Sequence, residues 1–227
     1  MNRKVSTRLN IAADEDCLGA LLEASEVLDG DIAALLGRCR PRAKRGAIAL
    51  ALCSAAFEHG VSQRVLLQAD LNGSALVLCR PHFEAVVRAA WTGQGASDQW
   101  IEAFTTPAAT ADGAHKEPIL GPPIASMLET FGRHAPHVAS EFTKLAATIP
   151  AMNSLVHGGS QIVAYALKGG YPTEKLAAVL LNRNLLHWYT ANCAVVSAQE
   201  QHLVPRMRLL IEKHGKCMPS SASSHVS

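Results

Sequence analysis

Apolar residues recur at intervals of three and four through most of the chain, and strand-like alternation of β-branched and polar positions is almost absent. This periodicity, with alanine and leucine dominant, predicts an all-α protein without a strand. The first helix is predicted from Glu15 to Leu36, with Asp14 as N-cap and Leu18, Leu21, Leu22, Val27, Leu28, Ile32 and Leu35 on its buried side. Gly30 is a candidate break within it. A second helix is expected from Lys44 to His59, ending at Gly60, and a third from Ser62 to Leu71, stopping near Asn72-Gly73. In GSALVLCRPHFEAVVRAAW, Pro81 either kinks one helix or sits in the first turn of a fresh one.

Turn formers crowd residues 105–123, TTPAATADGAHKEPILGPP, so this segment is expected to be a long mobile loop, either a lid over a site or an insertion without a role. Helices follow at Ile124 to Phe131, His137 to Thr148, Ala151 to His157 and Ser160 to Leu167. The turn GGYPT then offers Thr173 as N-cap of the longest helix, Glu174 to Gln201, before a last helix through Lys213. The expected architecture is a single-domain helical bundle over 14–214, with several short helices and one long central C-terminal helix. A poorly ordered arm, 1–13, precedes it, and a small polar tail, 215–227, is expected to be disordered.

Composition narrows the function classes. With 227 residues, 48% apolar, 18% charged and a net charge of +2, the chain has the make-up of a soluble globular protein that needs no disulfide or metal staple. The balance lacks the basic excess of a dedicated phosphate-backbone binder. The six cysteines (Cys17, Cys39, Cys53, Cys79, Cys193, Cys217) form no C-x-x-C pair and sit mostly in apolar helical runs, as expected of free thiols in a reducing cytoplasm. No apolar h-region follows the N-terminus. The longest apolar run, 46–57, is too short for a membrane span, so no membrane association is expected. The basic residues ahead of it, Arg38, Arg40, Arg42, Lys44 and Arg45, read as a solvated loop or a local RNA- or lipid-contacting patch.

Three constellations can carry chemistry. In RPHFEAVVRAAW, Arg80, Glu84 and Arg88 form an i, i+4, i+8 row with Trp91 at its end, bordering the arc of Phe83, Val86, Val87 and Ala90. Two arginines bracketing one carboxylate make either a surface ion-pair ladder or a half-buried site for an anion such as phosphate. In MNSLVHGGSQ, Asn153 and His157 face the same way, with His157 at a helix end before Gly158-Gly159. It is either a capping histidine or an accessible acid-base group. In the long C-terminal helix, Arg183, His187 and Thr190 share a stripe beside Asn182 and Asn184, and Glu84 is one candidate partner for Arg183. This stripe is either a register-fixing polar network or the lining of a pocket.

A fourth group, His134, His137 and Glu141, has metal-ligand chemistry, but Pro136 takes His134 out of helical register and no E-x-x-H motif completes a site, so no metal is expected. The chain has no P-loop, no G-x-G-x-x-G and no G-x-S-x-G, and no cofactor is implied.

The RPHFEAVVRAAW helix, the acidic and aromatic segment SDQWIEAF and the downstream NSLVHGGSQIV together resemble a bacterial all-helical family known only as a domain of unknown function. The resemblance covers roughly 65–170. Such proteins are similar in layout to HEPN-type helical bundles, many of which are metal-independent ribonucleases of toxin or phage-defence systems. Where those bundles carry an arginine upstream of the late histidine, this chain has Met152 or Asn153 before His157.

Three functions follow as expectations. One is a small-molecule or anion-binding regulatory module using Arg80, Glu84, Arg88, Trp91, Asn153, Arg183 and His187. The second, implied by the resemblance, is a HEPN-like ribonuclease acting on RNA, with His157 as the catalytic acid-base group. The third is a non-catalytic homodimer scaffold.

Overall fold

The computed structural model describes the backbone of residues 3–106 and 121–219, and side chains from residue 16 onward. The described residues are helical and contain no strand. α1 (Arg3–Leu36) begins well before the expected Glu15, so Asp14 lies inside the helix rather than at its N-cap. Gly30 does not interrupt it either. An exposed helical glycine costs only about 1 kcal/mol, and burial of Leu28, Ile32 and Leu35 on the opposite side outweighs that.

α2 (Lys44–Gln68) joins the two helices expected on either side of Gly60. That glycine is not a cap but a contact point. A Cβ built on it would lie 2.2 Å from Nε2 of His187, so the missing side chain lets α2 approach the long C-terminal helix. The turn after α2 is made instead by Asp70, whose φ is +56°. α3 (Asn72–Val77) and α4 (Cys79–Gln94) follow, and Pro81 sits in the first turn of α4, where no intrahelical donor is required.

α5 (Asp98–Thr105) starts at Ser97, whose hydroxyl accepts from the Trp100 amide at 3.2 Å. The expected loop 105–123 lies outside the described residues over 107–120. Beyond it run α6 (Ile124–Gly132), α7 (Pro136–Ala146), α8 (Ile149–Val156) and α9 (Ser160–Leu167). Then come α10 (Thr173–Ser197) and α11 (Val204–Lys213). Thr173 is the first helical residue of α10 rather than its cap, and the helix stops short of Gln201 because Gln199, at φ +58°, turns the chain.

α10 packs against α1, α2 and α4, and α2 against α4, forming the centre of the bundle; α6 packs on α4 and α7 on α6, with Phe142 of α7 meeting Phe83 of α4 edge-on, and α11 lies against α10. The C-terminal segment expected to be disordered from residue 215 is folded through Met218. Cys217 and Met218 are buried, and the Cys217 carbonyl accepts from Nδ2 of Asn184 at 2.7 Å. The remainder of that tail, 220–227, lies outside the described residues. No helix of the described residues is long and apolar enough to cross a membrane.

Candidate functional site

α4 buries Phe83, Val86, Val87 and Ala90, which turns the row Arg80, Glu84, Arg88 to the edge of the helix. Nε of Arg80 donates to Oε1 of Glu84 at 2.8 Å, and Nη2 of Arg88 lies 4.0 Å from Oε2 of the same carboxylate. The side chains are half-buried, at 32% exposure for Arg80, 24% for Glu84 and 21% for Arg88, so they are neither a solvated ladder nor part of the dry core. Nη1 of Arg80 donates to Oδ1 of Asn153 on α8, tying together two groups 73 residues apart. Half-buried guanidinium groups held beside a carboxamide are a donor set suited to an oxyanion.

His157 caps α8 at its C-terminus. Its own amide donates to the Asn153 carbonyl at 3.0 Å, Gly158 takes φ +63°, and the Gly159 amide closes back on the Ser154 carbonyl at 2.7 Å. This is the left-handed glycine closure that satisfies the last helical carbonyls without help from the imidazole. The side chain is exposed and makes no hydrogen bond among the described residues. The backbone thus places His157 one turn past Asn153, and nothing joins its imidazole to the arginines.

The other expected ligand residues lie elsewhere. Trp91 is buried against Trp100, with ring centroids 4.7 Å apart, and serves the core. Arg183 and His187 lie in the centre of the bundle, and the carboxylate that meets Arg183 is Asp29 of α1, not Glu84. Asp29 Oδ1 is 2.6 Å from Nη2 of Arg183, an ion-pair contact without hydrogen-bond alignment, and Oδ2 accepts from Nε of Arg64 at 2.8 Å. Arg183 also donates to the Gly60 carbonyl and to Oδ1 of Asn184, both at 2.8 Å. Asn184 in turn donates to the hydroxyl of Ser25 at 2.8 Å. Thr190 bonds the Leu186 carbonyl of its own helix. Arg183, Asn184 and His187 therefore belong to a network that fixes α1, α2 and α10 in register.

Burial sets the protonation states in this centre. Desolvation brings the Arg183 guanidinium down to about 10, against the pull of Asp29. Desolvation, reinforced by Arg183, pushes His187 and His82 well below the ordinary imidazole value. Nδ1 of His187 faces Asp29 Oδ1 at 3.1 Å and Nε2 faces the Phe57 carbonyl at 3.2 Å, a pair of acceptors that only an imidazolium would satisfy fully. Two buried guanidiniums already outnumber the single buried carboxylate, so we assign the neutral ring with its proton on Nδ1.

Among the described residues, no group of three or more His, Cys, Asp or Glu side chains is placed to hold a metal ion, and Glu141 pairs instead with Lys144 at 2.5 Å. Asp29, Arg64, Gln63 and His82 were not legible as site or network residues in isolation. One signal was present, because Asp29 falls on the same apolar stripe of α1 as Leu22, Leu28 and Ile32, all buried.

A family described as Family of unknown function (DUF6988) matches residues 53–220, and the chain belongs to that family. No curated protein and no solved structure matches it. The matched span contains the whole α4–α8 cluster, together with Arg64, Arg183 and His187, whereas Asp29 precedes it.

Proposed function

We propose, for this member of the family, a small-molecule-binding helical module whose anion site is the cluster of Arg80, Glu84, Arg88 and Asn153. The observation that carries this is the bond between Arg80 and Asn153, which holds one guanidinium between α4 and α8 at partial burial. At such a position an anion gains charge-assisted hydrogen bonds in a medium less screening than bulk water, and the site is already ordered before the ligand arrives. Glu84 acts as the resident counter-charge of Arg80, orienting it through the 2.8 Å bond when no ligand is bound. We assign no bond-breaking step to the site, since ribonucleolysis would require the His157 imidazole on the same phosphate as the arginines. The six unpaired cysteines fit work in a reducing, cytoplasmic setting.

Calorimetric titration with inorganic phosphate and with a nucleoside monophosphate tests this. Saturable binding that weakens at least tenfold in Arg80→Gln is expected. Equal heats for wild type and variant would remove the cluster from the site. Cleavage of single-stranded RNA by wild type and its loss in His157→Ala would replace binding with catalysis.

A further inference from the structure

A cavity of about 190 Å³ lies between α4, α8 and α10, apart from the charged row. Buried Gln63, His82, Phe83 and Leu186 line its inner part, exposed Thr148 and Asn182 mark where it reaches the surface, and most of the remaining wall is aliphatic. One polar atom of a lining residue is unaccounted for. His82 is completely buried, its Nδ1 lies 3.3 Å from Oε1 of Gln63, and its Nε2 has no hydrogen-bond partner among the described residues. An amide oxygen only accepts, so the ring proton belongs on Nδ1 and Nε2 is left as a bare acceptor. Burial and the nearby Arg183 hold the ring neutral, which keeps a second proton off Nε2.

A buried acceptor without a donor costs on the order of 1–3 kcal/mol, and native proteins rarely keep one without a use. Size decides what can supply the donor. An apolar cavity of about 150 Å³ stays dry and admits a benzene-sized molecule, and this one is somewhat larger, with Nε2 of His82 the one side-chain atom of its lining residues that is buried without a hydrogen-bond partner among the described residues. We infer that the cavity binds a small neutral molecule with an apolar, ring-sized body and one N–H or O–H group, which donates to Nε2 of His82. Such a site is distinct from the anion cluster, because its lining offers no cationic side chain and its ligand needs no charge. A pocket built around one hydrogen-bonding group rejects an analogue that lacks the donor, since the acceptor then remains buried and unpaired.

Phenol and toluene are near-isosteric probes of this inference. On the full-length wild-type protein, phenol is expected to bind saturably, about tenfold or more tighter than toluene, and to shift the unprotonated ring-nitrogen resonance of His82 in the 15N spectrum. Saturating inorganic phosphate should leave the phenol affinity unchanged, which separates this site from the anion cluster whether or not that cluster binds anything. His82→Phe should reverse the preference between the two probes, and Ala151→Phe, which fills the cavity from a partly exposed position, should remove binding of both. The wild-type comparison decides even if neither variant folds. Equal affinities for phenol and toluene, an unmoved ring-nitrogen resonance at millimolar phenol, or a bound water retained on Nε2 would each overturn the inference.

Discussion

Asp29 and Glu84 are each flanked by two arginines, yet the two groups live in different media. Around Asp29 the side chains of Arg64 and Arg183 are 7% and 1% exposed, and α1, α2 and α10 close over them. Around Glu84 the arginines keep between a fifth and a third of their surface, and one of them reaches across to Asn153. Chemistry alone does not separate the two clusters; the packing of the helices that carry them does. In the dry centre a charge must be matched for the fold to exist, so the network there is committed to structure. At the half-wet edge the same donors can exchange one partner for another, which a binding site requires.

The contrast breaks most visibly at Asp29. Asp29→Ala leaves Arg64 and Arg183 buried without their shared carboxylate and is expected to cost about 3–5 kcal/mol, read as a large drop in the guanidinium chloride midpoint. A midpoint within experimental error of wild type would show that water reaches the centre and that the two clusters are alike.

Acid should find the same region. His82 and His187 are neutral when folded, with values well below the ordinary imidazole range, whereas in the unfolded chain they take up protons below about pH 6.5. The unfolded state then binds more protons, so their contribution is fully present above that pH and is lost as the pH falls through it. The expected slope is roughly 1.4 kcal/mol per pH unit for each histidine. Denaturation curves between pH 7 and 5 check this, and His187→Gln should flatten the slope.

Gly60→Ala sharpens the comparison from the backbone side. In an ordinary helix interior the change stabilises by up to about 1 kcal/mol, but here the new methyl meets the His187 ring, and a loss of about 1–3 kcal/mol is expected. A higher melting temperature would mean that α2 moves away from α10 without penalty. Smallest of all is Glu84→Ala, expected to cost about 1 kcal/mol or less, because its two arginines retain access to water.

Periodicity made the helical architecture legible, and specific residues show where it failed. Pro81 left open a kink or the first turn of a fresh helix, and the start of α4 at Cys79 selects the second, while the bounds of α9 were readable from Ser160 and the glycines after Leu167. Gly60 was misread because a glycine that ends a helix and one that admits a neighbouring ring look identical in sequence; only the approach of His187 distinguishes them. The edge row on α4 was visible from its i, i+4 spacing, as was Asn153 as a separate feature, but the bond between them crosses 73 residues and no local pattern encodes it. Arg183 announced a buried partner through the apolar character of α10, yet identifying that partner as Asp29 required the packing of α1.

Phosphate-dependent thermal unfolding of wild type and Arg80→Gln, with sodium chloride as the control at matched ionic strength, bears most directly on the division of labour between the two clusters. The account predicts a melting temperature that rises with phosphate in wild type, a variant with nearly the same melting temperature in chloride, and no phosphate-dependent rise in that variant. A wild-type midpoint indifferent to phosphate, or an Arg80→Gln protein that melts far earlier in chloride, would show that the α4–α8 cluster is as structural as the one around Asp29.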